Sequence, residues 1–439
     1  MTLQRLSKVG LAALTITALL GDVAFAQAPA AAPAVADKAD TAWMMVSTVL
    51  VLAMIVPGLA LFYGGLVRSK NMLSVLTQIL AMTCISMLLW VVIGYSLVFT
   101  EGSSIIGGFS KALLAGIAKD TVNSGGSIQE FVFFAFQMTF AAITPALAIG
   151  AFMERTKFSA VLMFSILWSI FVYYPMAHMV WGADGYLLKL GALDFAGGTV
   201  VHINAGIAGL VGCLIVGKRI GFGKELMAPH SLTMTMLGGS MLWIGWFGFN
   251  AGSALAANDV AVLALLNTLL ATAAAAVTWM LVEWAAKGKP SLLGTVSGVV
   301  AGLVAITPAA GFVGPLGGIV LGFAGAFVSY IFCTTVKNAL GYDDTADVFG
   351  VHGVAGIIGS IGTGIFVSPA LGGVGVEGYE MATQVWNQCV GVLVAVVWCG
   401  VISAIIFKLV DVVIGLRVSA EREREGLDIA EHGERAYHF

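Results

Sequence analysis

The chain has 439 residues, of which 59% are hydrophobic and 10% are charged, and its net charge is −3. A soluble domain carries about 25% charged residues, so this composition excludes an ordinary soluble fold and indicates a membrane protein. The weak net charge gives no reason to expect nucleic acid or another strongly charged partner.

The N-terminal segment has the features of a secretory leader. Two basic residues precede a short apolar run, which ends at a small-x-small cleavage sequence, Ala24 to Ala26. We therefore predict a signal peptide over residues 1–26 and an outer Ala/Pro-rich linker over residues 27–42. The alternative is an uncleaved first helix, but the apolar run is shorter than a membrane span requires.

Apolar runs of about 20 residues recur through the rest of the chain, and each is long enough to cross a bilayer as a helix. Charged residues, glycine and proline separate the runs. The predicted helices cover residues 43–66, 71–99, 129–152, 158–181, 198–217, 231–256, 260–284, 291–309, 315–336, 348–367 and 383–413. We therefore expect an all-α membrane protein with eleven transmembrane helices and a polar, soluble tail over residues 414–439.

The distribution of basic residues sets the expected orientation. With the N-terminus outside, the predicted cytoplasmic segments hold 15 lysines and arginines, whereas the outer segments after the leader hold 4. Basic residues collect on the cytoplasmic side of membrane proteins. We therefore expect a periplasmic N-terminus and a cytoplasmic C-terminus.

Two predicted helices share a motif, which indicates an internal repeat. Helix five contains VHINAGIAG from Val201, and helix ten contains VHGVAGIIG from Val351, 150 residues later. Because an odd number of helices separates the copies, the two halves must insert in opposite orientations, as in transporters built from inverted repeats. The alternative is a coincidence between two helices rich in glycine and alanine. The predicted organisation is a first repeat, a cytoplasmic loop, a second repeat and an added helix, over residues 43–217, 218–230, 231–367 and 383–413.

The repeated motif contains the two histidines, His202 and His352, that lie deep inside predicted helices. Ionisable side chains within a membrane are costly and usually face a cavity or a partner. A lone membrane histidine is often a packing residue, but the duplication favours two rings that face each other. Two neutral imidazoles in an apolar pore suit a small neutral solute, because a bare cation would lose its hydration there.

Aromatic residues flank this predicted pore. Phe136 and Phe140 share a face of helix three, and helix six carries Trp246, Phe249 and Ser253. Aromatic faces beside a hydroxyl form a cup for a small cation.

Two residues near the outer ends of helices four and five allow two interpretations each. Trp181 ends helix four, where tryptophan is usually a membrane-interface residue, although it can also form part of the cation cup. Asp194 precedes helix five in a glycine-rich stretch. We favour a helix cap that affects cation binding indirectly, but its carboxylate can also attract a cation or accept its proton.

At these residues the chain resembles the ammonium transporter family (Amt/MEP/Rh), and most closely its bacterial Amt members. The resemblance covers nearly the whole chain after the leader. Five motifs carry it: FYGGLVR from Phe62, AHMVWG from Ala177, DFAGGTVVHIN from Asp194, GWFGFNAGS from Gly245 and DVFGVHG from Asp347. The resemblance implies a right-handed bundle of eleven helices in the bacterial inner membrane, assembled as a homotrimer with one pore per subunit.

The resemblance also implies residue roles and a mechanism. The implied groups are a substrate site of Trp181, Phe140, Ser253 and Asp194, a gate of Phe140, Phe249 and Phe136, and pore or vestibule residues His202, His352, Trp246 and Thr307. Ammonium would be deprotonated, ammonia would cross the apolar pore and a proton would cross separately, so that net charge moves. The tail resembles a regulatory tail, which implies a cytoplasmic PII signalling protein as a partner. The outer loop over residues 182–191 departs from the family pattern.

Other functions fit the sequence less well. A haem protein would use the two membrane histidines as axial ligands, but the chain offers no second pair. A sensor is expected to carry a signalling domain, which the short tail lacks, and an electroneutral gas channel would not need an aromatic cation cup. No nucleophile–base pair, metal-ligand cluster, cofactor motif or phosphate loop in the sequence points to an enzyme.

Overall fold

A computed structural model describes residues 35–437 of the chain. The predicted signal peptide, residues 1–26, therefore lies outside the described residues, as does the first half of the predicted linker, residues 27–34. Within the described range the chain consists of helices and their connecting loops, without a β-strand. The expected all-α class is confirmed.

Ten helical segments in the described range are long and apolar enough to span a membrane, and an eleventh is apolar but shorter. In chain order, α1 to α11 cover Lys38–Leu66, Ser69–Phe99, Glu130–Ala151, Phe158–Leu190, Gly198–Val216, Leu232–Gly252, Asp259–Lys287, Leu292–Ile306, Pro315–Leu340, Phe349–Phe366 and Met381–Ile414. The short one is α8, which ends before Pro308, because proline cannot donate the next helical hydrogen bond. All eleven predicted helices are therefore present.

The first helix begins earlier than the sequence predicts. The predicted linker extends to residue 42, whereas α1 already begins at Lys38. The carboxylate of Asp37 accepts hydrogen bonds from the backbone N–H groups of Ala39 and Asp40, at 2.8 and 2.9 Å. This side chain caps the helix start, so the linker ends at Asp37.

Helices α5 and α10, which carry the repeated motif, cross in close contact inside the bundle. Each begins with a stretch of π-helix, Gly198–Ile203 in α5 and Phe349–Val354 in α10. A Cβ atom on Gly206 of α5 would lie 2.3 Å from the backbone of Gly353 in α10, so the two backbones approach where a side chain would not fit. The crossing buries both repeated histidines.

A carboxylate caps the start of each of these two helices. Asp194 and Asp344 each precede the repeated histidine by eight residues. Asp344 accepts hydrogen bonds from the backbone N–H groups of Val348 and Phe349 at 3.0 and 2.8 Å. The repeat therefore includes the cap as well as the histidine, and the inverted insertion of the halves places the two caps at opposite ends of the bundle.

Buried charges join the loops at the end that the predicted orientation makes cytoplasmic. The guanidinium of Arg219 pairs with the carboxylates of Glu154 and Asp343, and Arg68 pairs with Glu154 at 2.9 Å. Burial alone would raise the pKa of Glu154, but Arg219 and Arg68 lower it below its ordinary value. Glu154 therefore stays charged at neutral pH and joins two loops.

The C-terminal tail packs on this charged surface, which the sequence does not predict. Glu423 accepts a hydrogen bond from the backbone N–H of Ile220 at 2.7 Å, and Asp428 accepts one from that of Ser74 at 2.8 Å. Both carboxylates belong to side chains that are 2% exposed. The predicted soluble tail, residues 414–439, is thus docked through acidic residues within its described part.

Removing Glu154 is expected to destabilise the protein. Glu154→Ala removes the carboxylate partner of Arg68 and one of the two carboxylate partners of Arg219. Breaking a buried ion pair in this way costs about 3–5 kcal/mol. We expect a clearly lower unfolding temperature in detergent. The control is Asp184→Ala, which removes an exposed pair with Lys189 and should cost less than about 1 kcal/mol. Equal shifts for both variants would contradict the proposed contribution of the buried pairs.

Candidate functional site

A cavity of about 210 Å³ lies at the predicted outer end of the bundle. Its lining is mostly aromatic and aliphatic, with two polar side chains. The residues that matter here are Phe133, Gln137, Phe140, Trp181, Phe195 and Ser253. Three of the four predicted substrate residues therefore line one cavity, and Asp194 is not among the lining residues.

Trp181 forms one wall of the outer cavity. Its ring stands edge-on to Phe140, with the centroids 6.0 Å apart and an interplanar angle of 82°. The indole N–H donates a hydrogen bond to the backbone carbonyl of Asp194 at 3.0 Å. This bond fixes the ring where it lines the cavity.

Two polar side chains interrupt the aromatic lining of the cavity. The hydroxyl of Ser253 donates to the backbone carbonyl of Phe249 at 2.8 Å, which leaves the lone pairs of Oγ available to a donor. Gln137, which sequence reasoning missed, precedes Phe140 by three residues and so shares its face of α3. That spacing was the available signal.

The rings of Phe140 and Phe249 stack beneath the outer cavity. Their centroids are 4.2 Å apart and the rings are inclined by 22°. Phe249 in turn lies 5.9 Å from the ring of His202, so the stack separates the cavity from the histidines. Phe136, predicted as a gate residue, packs against Phe140 with the ring centroids 4.9 Å apart and is not among the residues that line the cavity.

The two repeated histidines face each other in the interior. The Nδ1 atoms of His202 and His352 are 3.2 Å apart, and the ring planes differ by 14°. For a neutral pair, one Nδ1 donates and the other accepts, which gives the two rings opposite tautomers. In the part of the chain that the structure describes, no group of three or more His, Cys, Asp and Glu side chains is placed to hold a metal ion.

Trp246 and Thr307 hold the ring of His202 in place. The Trp246 ring stacks on that of His202 with centroids 5.2 Å apart, and its indole N–H donates to Oγ1 of Thr307 at 2.9 Å. The hydroxyl of Thr307 donates onward to the backbone carbonyl of Leu303 at 2.7 Å. Trp246 therefore contacts the histidine directly and Thr307 positions Trp246, and neither residue is among those that line the outer or the inner cavity.

A second cavity, of about 220 Å³, reaches His352 from the predicted cytoplasmic end. Its lining includes Lys337 and Asp347, which form an ion pair at 2.7 Å, and Arg219. This cavity is therefore charged, whereas the outer one is aromatic. The ring contacts from Trp181 to His352 connect the two.

The carboxylate of Asp194 is fully engaged with the backbone at the start of α5. Oδ1 accepts from the N–H groups of Gly197 and Gly198 at 2.9 and 2.6 Å, and Oδ2 accepts from those of Thr199 and Val200 at 2.9 and 3.1 Å. Four bonds satisfy the orphan donors of the first helical turn. The geometry is that of a helix cap that also fixes the loop to which Trp181 bonds.

The comparisons with known proteins agree with this architecture. The sequence model of the Ammonium Transporter Family matches residues 42–437. The ammonium transporter of Bacillus subtilis is 46% identical over 402 residues, which cover 91% of this chain and 98% of that protein. The ammonium transporter of Aquifex aeolicus is 47% identical over 408 residues, covering 92% and 94%.

Solved structures show the same fold. A sensor Amt protein superposes with a TM-score of 0.84 at 29% identity, covering 90% of this chain and 98% of that one. Mep2 of Saccharomyces cerevisiae superposes with a TM-score of 0.81 at 35% identity, covering 88% of each chain. The family is one of membrane transporters and not of enzymes. With eleven helices of the expected kind and a match along nearly its whole described length, this chain belongs to the ammonium transporter family.

Proposed function

We propose that the protein recruits ammonium in its outer cavity, removes a proton from it and conducts ammonia past the paired histidines, while the proton crosses separately. The observation that carries this proposal is the unbroken row of ring contacts from Trp181 through Phe140 and Phe249 to His202 and His352. The row has a cavity at each end and an apolar constriction between them.

The outer cavity suits a small cation. The aromatic faces of Trp181 and Phe140 attract positive charge, and a desolvated cation–π contact contributes about 2 kcal/mol. The Oγ atom of Ser253 accepts a hydrogen bond from the cation, since its own hydrogen is committed to a backbone carbonyl. An ammonium ion satisfies both features, whereas neutral ammonia has no charge for the aromatic faces.

The Phe140–Phe249 stack and the histidine pair together favour loss of the proton before passage. A bare cation between two buried phenyl rings would lose its hydration without a carboxylate to replace it. Beyond the rings, the neutral imidazole pair offers one nitrogen that donates and one that accepts, which suits ammonia. The pore therefore passes the neutral molecule, and the proton needs its own path.

The setting of the transporter completes the proposal. We place it in the bacterial inner membrane as a homotrimer with a cytoplasmic C-terminus, following the family resemblance and the distribution of basic residues. The docked tail, with the buried carboxylates of Glu423 and Asp428, forms part of the cytoplasmic surface on which a PII protein would bind. The N-terminal leader, residues 1–26, is proposed to be removed.

The test is the current evoked by ammonium across a membrane that contains the purified protein. We expect the wild type to carry an ammonium-dependent inward current and Trp181→Leu to raise the half-saturating concentration by roughly 2- to 30-fold, because a cation–π contact is lost. The control is Trp398→Leu, because Trp398 lies on α11 and bonds to the backbone of Phe171, away from the outer cavity.

The other outcomes of this test identify the alternatives. Ammonia flux without current would make the protein an electroneutral channel. Binding of ammonium without flux or current would make it a sensor. Unchanged half-saturation in Trp181→Leu would contradict the outer site.

A further inference from the structure

The outer cavity contains an acceptor that the protein itself leaves unsatisfied. Oε1 of Gln137 is buried and has no hydrogen-bond partner among the described residues, and the residue as a whole is 9% exposed. Buried polar groups are almost always hydrogen-bonded, because a buried polar group without a hydrogen bond destabilises the fold. Because Gln137 is also one of the residues that line the outer cavity, a ligand bound there can supply the donor that Oε1 lacks.

The position of Gln137 restricts which ligand that is. Its side chain lines the same cavity as Phe140, Trp181 and Ser253. The hydrogens of the Trp181 indole and the Ser253 hydroxyl are both committed to backbone carbonyls. The oxygen atoms of Ser253 and Gln137 are consequently left to accept, so the cavity suits a ligand with several N–H donors.

We propose that Gln137 is a second hydrogen-bond acceptor for the cation in the outer cavity, and that it contributes to the preference for ammonium over its methylated analogue. This inference rests on the proposed function. Ammonium has four N–H donors and can serve Ser253, Gln137 and the aromatic faces together. Methylammonium has three N–H donors and a methyl group that must point away from both oxygens, so fewer of its orientations satisfy both acceptors and it gains less from the second one.

The test substitutes the acceptor by an apolar group of similar length. Gln137→Met removes the oxygen and keeps an unbranched side chain of similar size. We expect the half-saturating ammonium concentration of the evoked current to rise about 10-fold, as for the loss of one charge-assisted hydrogen bond. We also expect the ratio of methylammonium to ammonium current to rise, which a general loss of packing would not cause.

The matched control is Gln78→Met. Gln78 on α2 is also buried, at 1% exposed, and its Oε1 also has no partner within the described chain. It lines neither the outer nor the inner cavity, and its amide donates to Ser74 instead. We expect this variant to keep the wild-type half-saturation and current ratio.

The outcomes separate this inference from the function on which it rests. Wild-type current with an unchanged half-saturation and current ratio in Gln137→Met would overturn the role of Gln137 and leave ammonium transport intact. No ammonium current or flux in the wild type would overturn both. If Gln137→Met does not fold, Gln137→Glu decides, because it keeps an oxygen acceptor and adds a charge. A lower half-saturating concentration than wild type supports the inference, and an equal or higher one overturns it.

Discussion

Aspartate in place of His202 is expected to make the protein conduct hydrated metal cations, such as potassium, in addition to ammonium. The wild-type ring is fully buried, shares a hydrogen bond with His352 and is stacked on Trp246. Aspartate is shorter than histidine and carries a charge, so it would open space beside His352 and draw water into it. A hydrated, negatively charged pore no longer penalises a permanent cation.

The measurement is the current in liposomes under an ammonium gradient and under a potassium gradient. We expect a clear potassium current in His202→Asp and none above background in the wild type. The ratio of potassium current to ammonium current should rise at least about 10-fold, because the desolvation barrier that the substitution removes is worth several kcal/mol. His230→Asp is the matched control, since His230 lies in the predicted cytoplasmic loop, where its ring bonds to the backbone of Val67. If His202→Asp still excludes potassium, the histidine pair does not set selectivity.

The features that the sequence predicts well are those that follow from local periodicity and from duplication. Eleven apolar runs give eleven helices because a bilayer fixes the length of each span. The pairing of His202 with His352 follows from the repeated motif, since an inverted repeat brings equivalent positions to the same axis. The resemblance groups Phe140 and Trp181 in one substrate site, and in the structure the centroids of their rings are 6.0 Å apart.

The features that the sequence does not predict depend on which side chains meet across the fold. Phe136 and Gln137 are neighbours on α3, yet Gln137 lines the cavity and Phe136 packs behind Phe140. A three-residue spacing identifies a shared helix face but not which part of that face is open. The docking of the tail is also not predictable from the sequence, because acidic residues in a polar tail are usually solvated. Only the folded structure brings Glu423 and Asp428 to the backbone N–H groups of Ile220 and Ser74.

Asp194→Ala is expected to abolish transport, because the carboxylate of Asp194 stabilises the start of α5 and the loop beside the outer cavity. The substitution leaves four backbone N–H groups at the start of α5 without acceptors. Each unsatisfied buried donor costs about 1–3 kcal/mol, so the sum is comparable with the whole stability of an ordinary domain. We expect a lower unfolding temperature and no ammonium current.

The informative variant for the role of this carboxylate is Asp194→Asn. Asparagine keeps one oxygen for two of the four N–H groups but cannot accept a proton from the substrate. If Asp194 acts only as a helix cap, Asp194→Asn should lower the unfolding temperature and retain a reduced ammonium current, because the position of the Trp181 ring depends on this loop. If the carboxylate also accepts the proton, the unfolding temperature should fall by the same amount, but no ammonium current should remain. Asp344→Asn is the structural control: Asp344 caps only two N–H groups, so the fall in unfolding temperature should be smaller than for Asp194→Asn. The two caps occupy equivalent positions in opposite halves. A larger loss of stability and current in Asp194→Asn than in Asp344→Asn would therefore follow from the two additional hydrogen bonds of Asp194 and from its bond to Trp181.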